Sequence, residues 1–166
     1  MSERSSGQPL LDAETIEFIQ RGVSIYVAAR DADNVPTSAR GFGCKVGDTG
    51  RAITVFVARA QAGTLLRNVE ENHRIAAVFS RPTSNRTVQF KGHDARVIAL
   101  APDDAHTIAA YVGSFVVEVQ KLGHSAPFVH AVFAARSAEM AAIVFTPADG
   151  FAQTPGPGAG ARLFRG

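Results

Sequence analysis

Between residues 23 and 59 three extended segments follow one another with only turns between them, and this succession constrains the fold more than any other feature of the sequence. Val23, Ile25, Val27 and Ala29 alternate with Ser24, Tyr26, Ala28 and Arg30, the two-residue period of a half-buried strand. Asp31 to Pro36 is a turn, Thr37 to Val46 resumes extended structure, and Gly47-Asp48-Thr49-Gly50 turns the chain into a third run, Arg51 to Arg59. Parallel neighbours need a crossover of a dozen or more residues, which turns this short do not provide. The sheet is therefore expected to be antiparallel. A parallel nucleotide-binding fold is disfavoured further because no Gly-rich phosphate loop follows a strand.

Helices flank this meander. Asp12 to Arg21 reads as a short amphipathic helix, with Ile16, Phe18 and Ile19 among charges and Gly22 as its stop. Thr64 to Asn72 places Leu65, Leu66 and Val69 opposite Arg67, Glu70 and Glu71, which predicts a second helix with Thr64 as N-cap. Arg74 to Ser80 and Thr87 to Leu100 read as two further strands joined by a Pro/Ser/Asn turn. Pro102-Asp103-Asp104 opens a longer helix whose buried stripe is Ile108, Val112, Phe115, Val116, Val119 and Leu122, ended by Gly123. Pro127 to Phe133 adds a helical piece, Glu139 to Phe145 the last strand, and Phe151 to Gly160 an extended Pro/Gly-rich tail. The expectation is a mainly β protein of six antiparallel strands forming a small barrel with flanking helices. At 166 residues it is read as one domain, 1–166, with a flexible N-terminus at 1–11 and a tail at 151–166.

Composition narrows the function. Hydrophobic residues are 46% and charged residues 19%, enough for a core and too apolar for disorder. Seventeen basic against fifteen acidic residues is too small a surplus to make nucleic acid the main partner. No apolar run reaches the roughly 20 residues that span a bilayer and the N-terminus lacks a signal-peptide pattern, so no membrane association and a cytoplasmic location are expected. The lone Cys44 excludes an intrachain disulfide. His73, His93, His106, His124 and His130 form no helical zinc pattern, so no metal is expected.

Arg40 and Lys45, in Ser38-Ala39-Arg40-Gly41-Phe42-Gly43-Cys44-Lys45, set two cations on one predicted strand. Five-residue spacing puts them on opposite faces of a regular strand. A bulge at Gly41 or Gly43 would change the parity and bring both to one side. Cys44 between them could have its pKa lowered by the cations, but with no His close by in sequence it reads as a buried side chain.

Together, the strand-turn-strand opening, Arg40-x-x-x-x-Lys45, the helix 64–72 followed by Arg74-Ile75-Ala76-Ala77-Val78-Phe79, and Arg86-Thr87-Val88-Gln89-Phe90-Lys91-Gly92 form an ordered set. In that order they resemble the flavin-binding split barrels related to pyridoxamine 5′-phosphate oxidase, over Asp12 to about Leu100. The resemblance implies a split β-barrel that binds FMN, with Arg40 and Lys45 facing the flavin and its phosphate and the strand from Arg86 supplying polar groups to the ring. It also implies a homodimer with the flavin between subunits.

The departures from that family bear on function. A Ser-Arg-Lys-like phosphate cluster is replaced by Gly63-Thr64-Leu65, for which Arg59, Gly63 and Thr64 are the substitutes in this chain. The family's glutamine after the strand-opening arginine is replaced by Thr87, with Gln89 two residues on and so on the same face. There is no Trp and no C-terminal Arg-x-His segment, and the tail is similar to those of members other than the biosynthetic oxidase. The cofactor residues expected are thus Arg40, Lys45, Arg59, Gly63, Thr64, Thr87 and Gln89, with no side chain singled out as catalytic. The function expected is a flavin-dependent oxidoreductase acting on a small molecule; the competing reading is a non-catalytic module holding flavin, haem or another anionic ligand, for which His93 is the one candidate axial ligand.

Overall fold

The computed structural model describes residues 11–134 and 139–165; the N-terminal segment 1–10 lies outside the described residues. The elements run α1 (Ala13–Gln20), β1 (Ser24–Arg30), β2 (Pro36–Val46), β3 (Ile53–Ala58), α2 (Arg59–Asn72), β4 (Ile75–Ser80), β5 (Thr87–Gly92), β6 (Arg96–Ile98), α3 (Asp104–Gln120), α4 (Ala126–Val132), β7 (Met140–Phe145), β8 (Asp149–Ala152) and β9 (Arg162–Arg165). Local chemistry explains the boundaries. Asp12 caps α1 by accepting from the Thr15 N–H, Gly22 follows with φ +62°, and Ser125 caps α4 by accepting from Phe128.

All strand pairs are antiparallel, in the order β6-β7-β3-β2-β1-β4-β5-β8-β9. The sheet is strongly coiled. Gly92 of β5 sits against Phe145 of β7, five strand positions away, at a point where a Cβ would come within 2.7 Å of the Phe145 ring. Ile25, Val27, Val55, Val57, Ala77, Phe79 and Phe90 fill the interior of the coil. Gly41 takes part by having no side chain, since Ile25 and Val55 occupy the space its Cβ would need.

Several expectations are corrected. Among the described residues the strands number nine rather than six, and the ladder runs open from β6 to β9 rather than forming a six-stranded barrel. Thr87 to Leu100 is two strands at far-apart positions, β5 and β6, because the chain bends after Gly92. There the Asp94 carboxylate accepts from the Thr146 N–H and Ala95 bonds the His73 carbonyl. Helix α2 starts at Arg59, so Thr64 is not its N-cap; Ala58 holds that position without a side-chain bond. Leu122 is 51% exposed, and Tyr111 is buried in the α3 stripe instead. The tail is not simply extended: Phe151 belongs to β8, which pairs with β5 and with β9.

Candidate functional site

The bulge anticipated at the glycines is present. Gly41 faces Val57 and Cys44 faces Val55, so β2 carries one residue more than β3 between these pairs. Gly43 supplies the turn at φ +119°. The extra residue restores equal parity, and Arg40 and Lys45 project to the same side of the sheet.

On that side the register assembles a band across five strands. Arg40 of β2 lies opposite Tyr26 of β1, Tyr26 opposite Val78 of β4, Val78 opposite Gln89 of β5, and Gln89 opposite Phe151 of β8. Four inter-strand steps of about 4.8 Å make this band about 19 Å long. Ser38, Ala28, Ala76, Lys91 and Asp149 form the next row on one side; Ser24, Ser80 and Thr87 flank it on the other. While the opposite face is buried, this one is open: Tyr26 is 45% exposed, and Ala28, Ala76, Val78, Gln89 and Phe151 are half-buried. Small side chains, Ala28, Ala76, Ser24 and Ser80, flank Val78 at its middle, and aromatic rings stand near both ends.

Cations mark the ends as well. Arg40 donates from Nη2 to the Tyr26 hydroxyl at 2.7 Å, with its guanidinium 4.8 Å from the Tyr26 ring and 5.6 Å from that of Phe133. At the far end Lys91 Nζ and the Arg162 guanidinium each lie 5.3 Å from the Phe151 ring, and Arg162 pairs with Asp149 at 2.8 Å. Thr87 Oγ1 is bonded to the Ser80 hydroxyl at 2.7 Å, and Gln89 Oε1 accepts from Gln153 at 3.4 Å.

The structure therefore brings Arg40, Thr87 and Gln89 onto one open face. Lys45 is on the same side but lies at the start of α3, in an ion pair with the buried Asp104. Arg59, Gly63 and Thr64 belong to α2, which packs on the other side of β2, where Asn68 donates to Thr37. Arg59 Nε donates to the Met140 carbonyl. The free amides of α2 are those at its start, Arg59 to Gln61, whereas Gly63 and Thr64 lie beyond the first turn, where N–H groups bond within the helix.

Beside the band, α3 and α4 raise an aromatic wall. Phe133 packs edge-on against Phe42, Tyr111 and Phe115 at 5.2, 5.8 and 5.5 Å between ring centres. Burial pushes both the Tyr111 hydroxyl and the Cys44 thiol well above their ordinary pKa values. Cys44 donates to the Ile19 carbonyl and is a core side chain, as expected from its sequence context. His93 is exposed in the bend after β5, and among the described residues no group of three His, Cys, Asp or Glu is placed to hold a metal ion. Nor is any helix among the described residues long and apolar enough to cross a membrane.

Tyr26, Lys91, Phe151 and Arg162 extend the site beyond the residues picked out from sequence. Lys91 was within reach, because it continues the alternation Thr87, Gln89, Lys91. Phe151 and Arg162 join the face only through the pairing of β8 and β9.

No protein-family model and no curated protein matches this sequence. Among solved structures the chain is similar to HupZ of Group A Streptococcus, at 17% identity over 91% of this chain and 100% of that one, with a TM-score of 0.54. It is also similar to a candidate pyridoxamine 5′-phosphate oxidase of Lactobacillus delbrueckii, at 15% identity over 86% and 93% of the two chains, again with a TM-score of 0.54. At these identities the fold is what is shared.

Proposed function

We propose that this chain, having the fold of a pyridoxamine 5′-phosphate oxidase-like protein, binds FMN on the open sheet face and acts as a flavin-dependent oxidoreductase on a small substrate. The observation that carries the reading is the band Arg40, Tyr26, Val78, Gln89, Phe151, an accessible strip of sheet with small side chains on either side of Val78 at its middle, rings near its ends and cations at both. These residues fit a planar, anionic cofactor. Small side chains leave room for a flat ring, the Gln89 amide and Thr87 hydroxyl offer hydrogen bonds to its edge, and Arg40 gives a planar fork for phosphate or for the charge of a reduced ring. A bound flavin would supply hydride or electron transfer, and the chain's own part would be to orient it and exclude water. The open face also favours a homodimer, because a second copy would cover Tyr26 and Phe151.

Absorption of the purified protein and titration with FMN test this. Flavin bands are expected, Arg40→Ala should weaken FMN by about 1–3 kcal/mol, and light scattering should show a dimer at micromolar concentration. A protein that neither carries nor binds FMN would sink the proposal. The second reading, a non-catalytic carrier of flavin, haem or another anionic ligand, is favoured by the engagement of Lys45 with Asp104 and by the placement of Gly63 and Thr64 inside a helix. A haem band, or bound flavin without turnover by reduced nicotinamide, would select it.

A further inference from the structure

Where the open face meets α3 and α4, a groove of about 290 Å³ runs between sheet and helices. Val119, Leu122, Phe128, Val132 and Phe133 form its walls, and Arg40 stands at its sheet end. Three of these wall residues are large apolar side chains left in water: Leu122 is 51% exposed, Phe128 57% and Val132 36%. His124 stacks on Phe128 at the rim, 5.7 Å between ring centres. Among the described lining residues Arg40 is the one Lys or Arg, and none is Asp or Glu.

We propose that this groove binds an amphipathic carboxylate, with its apolar body against the α3 and α4 walls and its carboxylate on Arg40. The volume stands at the lower edge of ligand pockets, which run roughly 300–1,000 Å³, and suits a single ring or a branched acyl chain. The charge pattern chooses the ligand's sign. A guanidinium has five N–H donors in a planar fork: the Tyr26 hydroxyl takes one of Arg40's and a bidentate carboxylate would take two, which leaves two for a flavin on the neighbouring face. Phe133 and Tyr26 both lie against the guanidinium, which fixes the fork at the sheet end of the groove. An amine of the same shape would meet a like charge, with no carboxylate among the described lining residues to offset it. That this carboxylate is the substrate rests on the proposed flavin function, since the groove opens beside the flavin face; that it binds does not.

Calorimetric titration of the full chain with phenylacetate, phenylacetamide and acetate, with and without FMN, tests the proposal. Phenylacetate should bind, the neutral amide about tenfold or more weaker for want of charge-assisted bonds, and acetate weaker still for want of an apolar body. Val132→Glu and Leu122→Glu, at exposed wall positions away from the band, should each weaken phenylacetate by about tenfold or more and leave the FMN titration unchanged. Equal affinity for acid and amide, or no binding of the acid, overturns the proposal. So does conversion of a dimer to a monomer by Phe128→Glu, which would make the groove a seam between copies. Phenylacetate binding in a chain that does not bind FMN would refute the flavin reading and leave this one standing.

Discussion

Gly43 and Gly63 lie twenty residues apart, and the structure assigns opposite outcomes to the same added methyl group. Gly43 is the hinge of the bulge that puts Arg40 and Lys45 on one side of the sheet, and its φ is +119°. An alanine there adopts a backbone conformation that L side chains rarely take, at a cost of about 1–3 kcal/mol. Its Cβ would also stand 3.0 Å from Tyr111 Cβ and 3.1 Å from Cγ. Tyr111 has little freedom to retreat, because its hydroxyl is bonded to the Val23 carbonyl at 2.8 Å and its ring is packed between Phe115 and Phe133. Overpacking of this kind adds about 1 kcal/mol or more, so Gly43→Ala should cost about 2–4 kcal/mol. Gly63 lies inside α2 with nothing within 4 Å of a Cβ, and Gly63→Ala should stabilise by about 0.5–1 kcal/mol through helix propensity. Urea unfolding of the two variants and the parent, with slopes compared, measures both. A Gly43→Ala midpoint within about 0.5 kcal/mol of the parent would mean the bulge does not hold this geometry in solution.

Tyr111→Phe removes the donor to the buried Val23 carbonyl and should destabilise by about 1–3 kcal/mol in urea. Glu118 gives a pH dependence. Burial raises its pKa, but hydrogen bonds from Thr83 and Lys121, with the Lys121 charge, outweigh burial and hold the folded value below the ordinary one. Its stabilisation is therefore fully present above the unfolded value of about 4.3 and is lost as the pH falls through the folded one. Melting temperatures measured from about pH 7 to about pH 3 should fall less steeply at the acid end in Glu118→Gln, and parallel curves would count against this account. Phe164→Ala removes a ring stacked on Phe90 at 5.9 Å and seated over Gly150. It should cost about 1–3 kcal/mol and raise hydrogen exchange in β8, whereas unchanged β8 protection would mean that β9 does not hold the sheet edge.

How much of this was legible from sequence depended on which forces shape each segment. The antiparallel core, β1 to β4, is written in the alternation of Val23, Ile25 and Val27 and in short Gly- and Asp-bearing turns, because local period and turn chemistry agree there. The bulge was legible as a possibility in Gly41-x-Gly43, but its parity needed the pairing of Gly41 and Cys44 with Val57 and Val55. The start of α2 was not, since Arg59-Ala60-Gln61-Ala62 carries no capping side chain and the apolar run of β3 leads into it without a break. Strands β8 and β9 were missed for a different reason: four residues such as Asp149-Gly150-Phe151-Ala152 have little strand preference of their own and are held by β5. The site divided in the same way. Arg40, Thr87 and Gln89 sit on strands whose face can be counted from sequence, whereas Phe151 and Arg162 reach that face through tertiary pairing.

The spacing of polar groups along α3 fixes the helical wall of the groove. Asp104, Tyr111 and Glu118 are seven residues apart, so they fall on one stripe of a helix with 3.6 residues per turn. Each is buried and each is tied to a different part of the sheet: Asp104 to Lys45 at the end of β2, Tyr111 to the Val23 carbonyl before β1, and Glu118 to Thr83 in the turn between β4 and β5. Ser114, between the last two, accepts from the Gly22 N–H at 3.0 Å. A buried polar group that loses its partner costs about 1–3 kcal/mol, so a shift of α3 along or about its axis would break several of these bonds together. Apolar packing alone would let the helix slide by small steps at little cost, whereas these tethers permit one register. The wall formed by Phe115 and Val119 is thereby set at a fixed distance from Arg40, and the groove between them is built into the folded chain before anything enters it.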